Sequence, residues 1–132
     1  MNPATESTLP VSRFIRLETA PAFGLGKLDA ASDQTFCLLA HLFPLIIFPW
    51  KRHDSPAVAA HAKEALNFGL TLMICLFPLG LIAGALGTFV ALIVSLLSTV
   101  VSLAALGLVI YAIIQSRQGK LLRYPFNFRL IK

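Results

Sequence analysis

The chain has 132 residues, room for one domain. Hydrophobic residues make up 57% of it and charged residues 13%, where soluble domains carry roughly a quarter charged. The net charge of +5 does not point to nucleic acid, because the Lys and Arg sit beside apolar runs instead of forming a patch on a polar face.

Met1 to Ser32 reads as a polar N-terminal segment, disordered or lying on the membrane surface. Prolines 3, 10 and 21 and glycines 24 and 26 punctuate it, and it holds no apolar run of signal-peptide length. Val11 to Leu17 within it is short and mixed, and is expected to be disordered. Residues 33–132 then form a membrane domain.

The first apolar run, Phe36 to Trp50, is predicted to span once with residues from Ala30 onwards included, giving a span over about 33–50. Ser32 or Asp33 is the expected cap. Pro44 is expected to kink the helix by removing an internal hydrogen bond. The alternative is a re-entrant segment. Trp50 before Lys51 and Arg52 has the pattern of an interfacial anchor. His41, inside this run, is expected to bond a neighbouring backbone carbonyl. Cys37 and Cys75 both lie in apolar segments and read as reduced, buried thiols.

Ser55 before Pro56 is a strong helix start, a hydroxyl cap followed by proline where the missing N–H costs nothing. The helix that follows opens amphipathic, with His61, Glu64 and Asn67 on one face at three-residue spacing. That face is read as solvated, with a weak His61–Glu64 pair. His53, His61 and Glu64 do not have the spacing of a standard zinc site, so no metal is expected.

No Asp, Glu, Lys or Arg occurs between Glu64 and Arg117. As one helix this run would measure roughly 78 Å, against a hydrocarbon core about 30 Å thick, so it must turn and cross twice. The predicted spans are about 65–84 and 88–115. Gly80 and Gly84 have the small-xxx-small spacing that lets helices approach, or simply surround a turn. Thr88, Ala91, Ser95, Ser98, Ser102 and Ala105 recur at steps of three and four, a stripe suited to close helix packing. Gly119 suits a left-handed C-terminal cap. The tail from Lys120 is expected to lie along anionic headgroups, with Phe126 and Phe128 dipping in and Arg123 and Arg129 facing phosphates.

The fold class is therefore all-α and polytopic, with about three transmembrane helices, the first short and Pro-kinked, and an interfacial tail. Cations concentrate in the first loop and the tail, which places both in the cytoplasm and the chain in the cell (inner) membrane. Three spans put the N-terminus outside; a re-entrant first segment leaves both termini inside. There is no phosphate loop, nucleophile elbow or metalloprotease motif, so no catalytic residue and no cofactor are assigned.

Two stretches resemble a known family. Asp54, Ser55 and Pro56 precede His61, Ala62, Lys63, Leu66, Asn67 and Phe68, and the chain closes on Gly119, Arg123, Tyr124 and Pro125. The pattern is similar to that of small bacterial membrane proteins related to the twenty-kilodalton component of the chloroplast inner-envelope Tic translocon, with distant relatives in magnetosome membranes. Gly69 departs from it, since relatives often carry glutamine there. The resemblance implies a non-enzymatic adaptor or accessory subunit with a membrane-protein partner or a second copy of itself. Its alternatives are an oligomeric pore or translocation component, and a magnetosome-type organelle protein.

Overall fold

The computed structural model describes residues 15–125 and 127–131; the expectations for Val11 to Phe14 and for Phe126 lie outside them. The elements in chain order are β1 (Arg16–Thr19), α1 (Ala30–Leu42), α2 (Pro44–Lys51), α3 (Pro56–Ala85), α4 (Thr88–Arg117) and β2 (Lys120–Arg123).

Proline chemistry divides the first apolar run. Pro44 has no N–H to give and forces the preceding residue out of the α region. Phe43 accordingly sits at φ −130° and ψ 58°, ending α1, and Pro44 begins α2 at its first position. The expected single kinked span is thus two short helices, of 13 and 8 residues. The cap is Asp29, one turn before the residues expected. Asp33 lies inside α1 and accepts a hydrogen bond from the Gly24 amide at 2.7 Å.

The ends of this segment also meet. The Lys27 amide donates to the Asp54 carbonyl at 2.7 Å, where a crossing would hold the two about 30 Å apart.

Ser55 caps α3 as its sequence predicts, its hydroxyl accepting from the Val58 amide at 3.3 Å. The helix then continues for 30 residues through Pro78. Gly87, at φ 111°, turns the chain into α4, also 30 residues long. Each helix measures roughly 45 Å, and these two are long and apolar enough to cross a membrane. Gly119, at φ 72°, ends α4 in the left-handed conformation expected of it. A Cβ at Gly80 or Gly84 would meet nothing within 4 Å, so among the described residues no helix closes on that glycine pair.

The two ends of the α3–α4 hairpin differ. At its open end α1 and α2 pack Cys37, Ala40 and Ile47 against Ala57, Val58 and Ala62 of α3. There too β1 pairs antiparallel with β2, Leu17 opposite Leu122, and Ala20 extends the pairing to the Gly119 carbonyl. Arg16 to Thr19, expected as disordered or surface-lying, therefore forms part of this base. Beyond Thr71 the helices are mostly bare, with Met73, Ile74, Phe77, Phe89, Leu92 and Leu96 among the exposed side chains.

Candidate functional site

One face of α3 carries His61, Glu64, Asn67 and Thr71, at successive steps of three and four that align them along the helix. All four are buried, which overturns the solvated face read from the sequence. The C-terminal segment folds back along α3 and bonds Glu64, Asn67 and Thr71, while His61 meets His41 of α1.

Asn67 behaves as a strand partner. Its amide donates to the Ile131 carbonyl at 3.0 Å and its oxygen accepts from the Ile131 amide at 2.7 Å. The Thr71 hydroxyl donates to the Asn67 carbonyl at 2.8 Å and accepts from the Phe128 amide at 3.1 Å. Glu64 is ion-paired with Arg123 and accepts from the Asn127 amide group at 3.3 Å. Such pairing is what a buried carboxylate requires.

Arg123 also reaches β1, with its Nη2 2.7 Å and its Nε 2.8 Å from Glu18 Oε2. This two-sided commitment corrects the expectation that Arg123 faces lipid phosphates. The same hydrogen bond, ahead of the guanidinium's charge, holds the Glu18 carboxyl below the usual carboxylate range and raises Arg123 in turn.

Deeper in, three rings form a chain. The Tyr124 hydroxyl lies 3.0 Å from His41 Nδ1, and His41 Nε2 lies 3.2 Å from His61 Nδ1. With the hydroxyl donating, His41 carries its proton on Nε2 and donates onward to His61. His61 Nε2 is left buried without a partner among the described residues. Tyr124 also stacks on Phe68, ring centroids 4.2 Å apart and 10° from parallel. Burial, seconded by the Glu64 charge, pushes its phenol well above the ordinary range. His41 is therefore bonded to two side chains and not to the backbone carbonyl expected of it.

The structure brings together two sequence stretches more than fifty positions apart. Phe68 stacks on Tyr124, His61 is linked to Tyr124 through His41, Asn67 holds Ile131, and Arg123 pairs with Glu64 on the same face, with Gly119 supplying the turn between α4 and β2. Ala62 and Leu66 are buried beside them, while Lys63 and Pro125 are half-buried at the edge. Asp54, Ser55 and Pro56 stand apart at the start of α3, where Asp54 lies 3.3 Å from Lys51 and 3.9 Å from Lys27. Glu18, Thr71 and Asn127 were not singled out from the sequence. Thr71 was findable, since it extends the His61–Asn67 face by one turn; the other two bind only through tertiary contacts.

In the proposed packing stripe Ala105 is buried and Ala91 and Ser98 are half-buried, while Thr88, Ser95 and Ser102 are exposed. Among the described residues no three His, Cys, Asp or Glu side chains converge as a metal would need. What the arrangement does chemically is fasten: it ties β1, α1, α3 and the C-terminal segment into one unit through buried hydrogen bonds and ion pairs.

Residues 25–131 match the profile of the magnetosome magnetite crystal formation protein family. No curated protein and no solved structure matches the chain.

Proposed function

The chain belongs to the magnetosome magnetite crystal formation protein family, and on that premise we propose that it is a non-enzymatic accessory protein of an organelle membrane, acting in crystal formation. It crosses the bilayer twice, as the α3–α4 hairpin. The base built from β1, α1, α2, β2 and the C-terminal segment then stands at a single membrane face. The observation that carries this reading is the backbone closure of the base. Bonds from Lys27 to Asp54 and from Ala20 to Gly119 keep the N-terminal segment, the start of α3 and the end of α4 together. An even number of crossings follows.

Lys51, Arg52, Lys63, Arg117 and Lys120 all belong to this end, which favours the cytoplasmic side for it. The hairpin tip at Leu86 and Gly87 would face the opposite compartment. The working surfaces of such a protein are the base and the exposed part of α4. There Thr88, Ser95 and Ser102 leave a low ridge for a helix of a partner or of a second copy.

Deletion in a magnetite-forming host, with crystals measured by electron microscopy, tests the role; unchanged crystal number, size and shape would remove it. Epitope tags at the two termini test the crossings, and tags on opposite membrane faces would refute the hairpin.

A further inference from the structure

We infer that the elbow formed by α1 and α2 is a lipid-binding surface that seats the base in the headgroup layer of an anionic leaflet. The inference rests on the two-span reading and adds to it a contact that the hairpin itself does not make.

The inner side of α2 is accounted for: Ile47 is buried on Val58 and Ala62 of α3. Its other side is not. Leu42, Phe43, Leu45, Ile46 and Trp50 are all more than half exposed. In a structure whose polar base satisfies nearly every buried group, such a continuous apolar patch has to be covered.

Three observations identify lipid as the cover. First, the patch is continuous in character with the bare flank of α3, where Met73, Ile74 and Phe77 are exposed. It lies at the level of Ala62, about 15 Å along the helix before Leu72, which is the edge of the hairpin's apolar part and not its middle.

Second, the rim is aromatic and cationic in the way headgroup layers select. Trp50 packs edge-on against Phe36, centroids 5.9 Å apart. Lys51 Nζ lies 4.6 Å from the Trp50 ring centroid and Arg52 caps Phe48 at 5.7 Å. Lys51 is paired with Asp54, while Arg52 is exposed and has no carboxylate partner among the described residues, which leaves its charge for anionic lipid.

Third, the elbow enters and leaves at the same level through the Lys27–Asp54 bond. It can therefore dip into the layer and return, but not cross it.

Trp50 is the chain's single tryptophan, so its emission reports the contact directly. The full-length protein is reconstituted into vesicles of phosphatidylcholine and phosphatidylglycerol, with bromine placed near either the glycerol end or the methyl end of the chains. A second variant, Phe43→Trp with Trp50→Phe, moves the probe to the elbow's apex. Both probes should be quenched more by the shallow bromines than by the deep ones.

Replacing phosphatidylglycerol by phosphatidylcholine should weaken quenching of Trp50, and Lys51→Gln with Arg52→Gln should abolish that dependence. Stronger quenching of the apex probe by deep bromines would overturn the inference in favour of a third crossing. Absence of quenching by either lipid would overturn it in favour of a protein cover or water. Quenching indifferent to lipid charge would overturn the anionic assignment. Terminal tags separate the two readings: tags on one face with unquenched probes sink the elbow alone, while tags on opposite faces sink the hairpin.

Discussion

The hydroxyl of Tyr124 meets Nδ1 of His41 at 3.0 Å across 83 positions of sequence. The bond joins the chain's last segment to its first helix, through a site where water has no access. Removing the hydroxyl with Tyr124→Phe keeps the stacking on Phe68 but leaves the imidazole nitrogen buried and unpaired. An orphaned group of this kind costs about 1–3 kcal/mol. Thermal unfolding in detergent should show a lower midpoint, with His41→Phe in the same background adding less than it does alone, because the two share one interaction.

The Glu64–Arg123 pair should be asymmetric. Arg123→Met removes the partner from a carboxylate that is 2% exposed, and breaking a buried pair costs about 3–5 kcal/mol. Glu64→Gln is milder, because Arg123 is 29% exposed and keeps Glu18. Unfolding midpoints and membrane yield of the two variants should therefore rank Arg123→Met clearly below Glu64→Gln. Equal losses would mean that Glu64 reaches solvent and does not depend on Arg123.

Acid should loosen the β1–β2 ladder before the rest of the base. The Glu18 carboxyl is held below its ordinary value of 4.5 by the hydrogen bond from Arg123. Its contribution is therefore present above pH 4.5 and is lost as pH falls through the lowered value. Hydrogen exchange at Leu17 and Leu122 should accelerate in that range. Glu18→Gln should show faster exchange already at neutral pH and a flatter acid response. The effect is small, since Glu18 is a third exposed and solvent screens it.

The helices were legible because their causes are local. Ser55 and Pro56 fix where α3 starts, Gly119 where α4 stops, and the uncharged run between Glu64 and Arg117 demands the hairpin. The division at Phe43 was half legible: Pro44 announces a disturbance, but only packing of Ile47 on α3 decides that the chain bends away. The closure of the base was not legible. The three-residue spacing of His61, Glu64 and Asn67 was visible and read as a wet face, because nothing local says that Asn127 and Ile131 return to cover it. The strand pairing of Arg16–Thr19 with Lys120–Arg123 likewise depends on partners a hundred residues away.

Gly26 marks where the N-terminal segment touches the start of α3. A Cβ there would run into the Asp54 carbonyl and Ser55 Cα, backbone atoms that cannot swing aside. Gly26→Ala should cost about 1–3 kcal/mol, as overpacking does, and should break the Lys27–Asp54 bond. Gly69→Ala, where a Cβ meets nothing within 4 Å, is the matched control and should leave the midpoint unchanged or slightly raised. Measured together, the two distinguish a steric clash from a general intolerance of glycine replacement.

The small-residue stripe of α4 divides into two roles that one pair of substitutions separates. Ala105 is buried against Phe68 of α3 and Ser98, seven residues before it, is half-buried, whereas Ser95 and Ser102 are exposed. Ser98→Leu puts a large side chain at a half-buried position, where overpacking costs about 1–3 kcal/mol, so the folded protein itself should lose stability. Ser102→Leu adds bulk on the outer side and should leave unfolding in detergent unchanged. If a partner helix or a second copy packs there, close approach of small residues supplies most of the attraction, because interhelical hydrogen bonds average only about 0.6 kcal/mol. Ser102→Leu should then abolish association, measured by cross-linking in membranes, while Ser102→Ala retains it. Association that survives Ser102→Leu would leave the outer ridge in contact with lipid and move the search for a partner surface to the base.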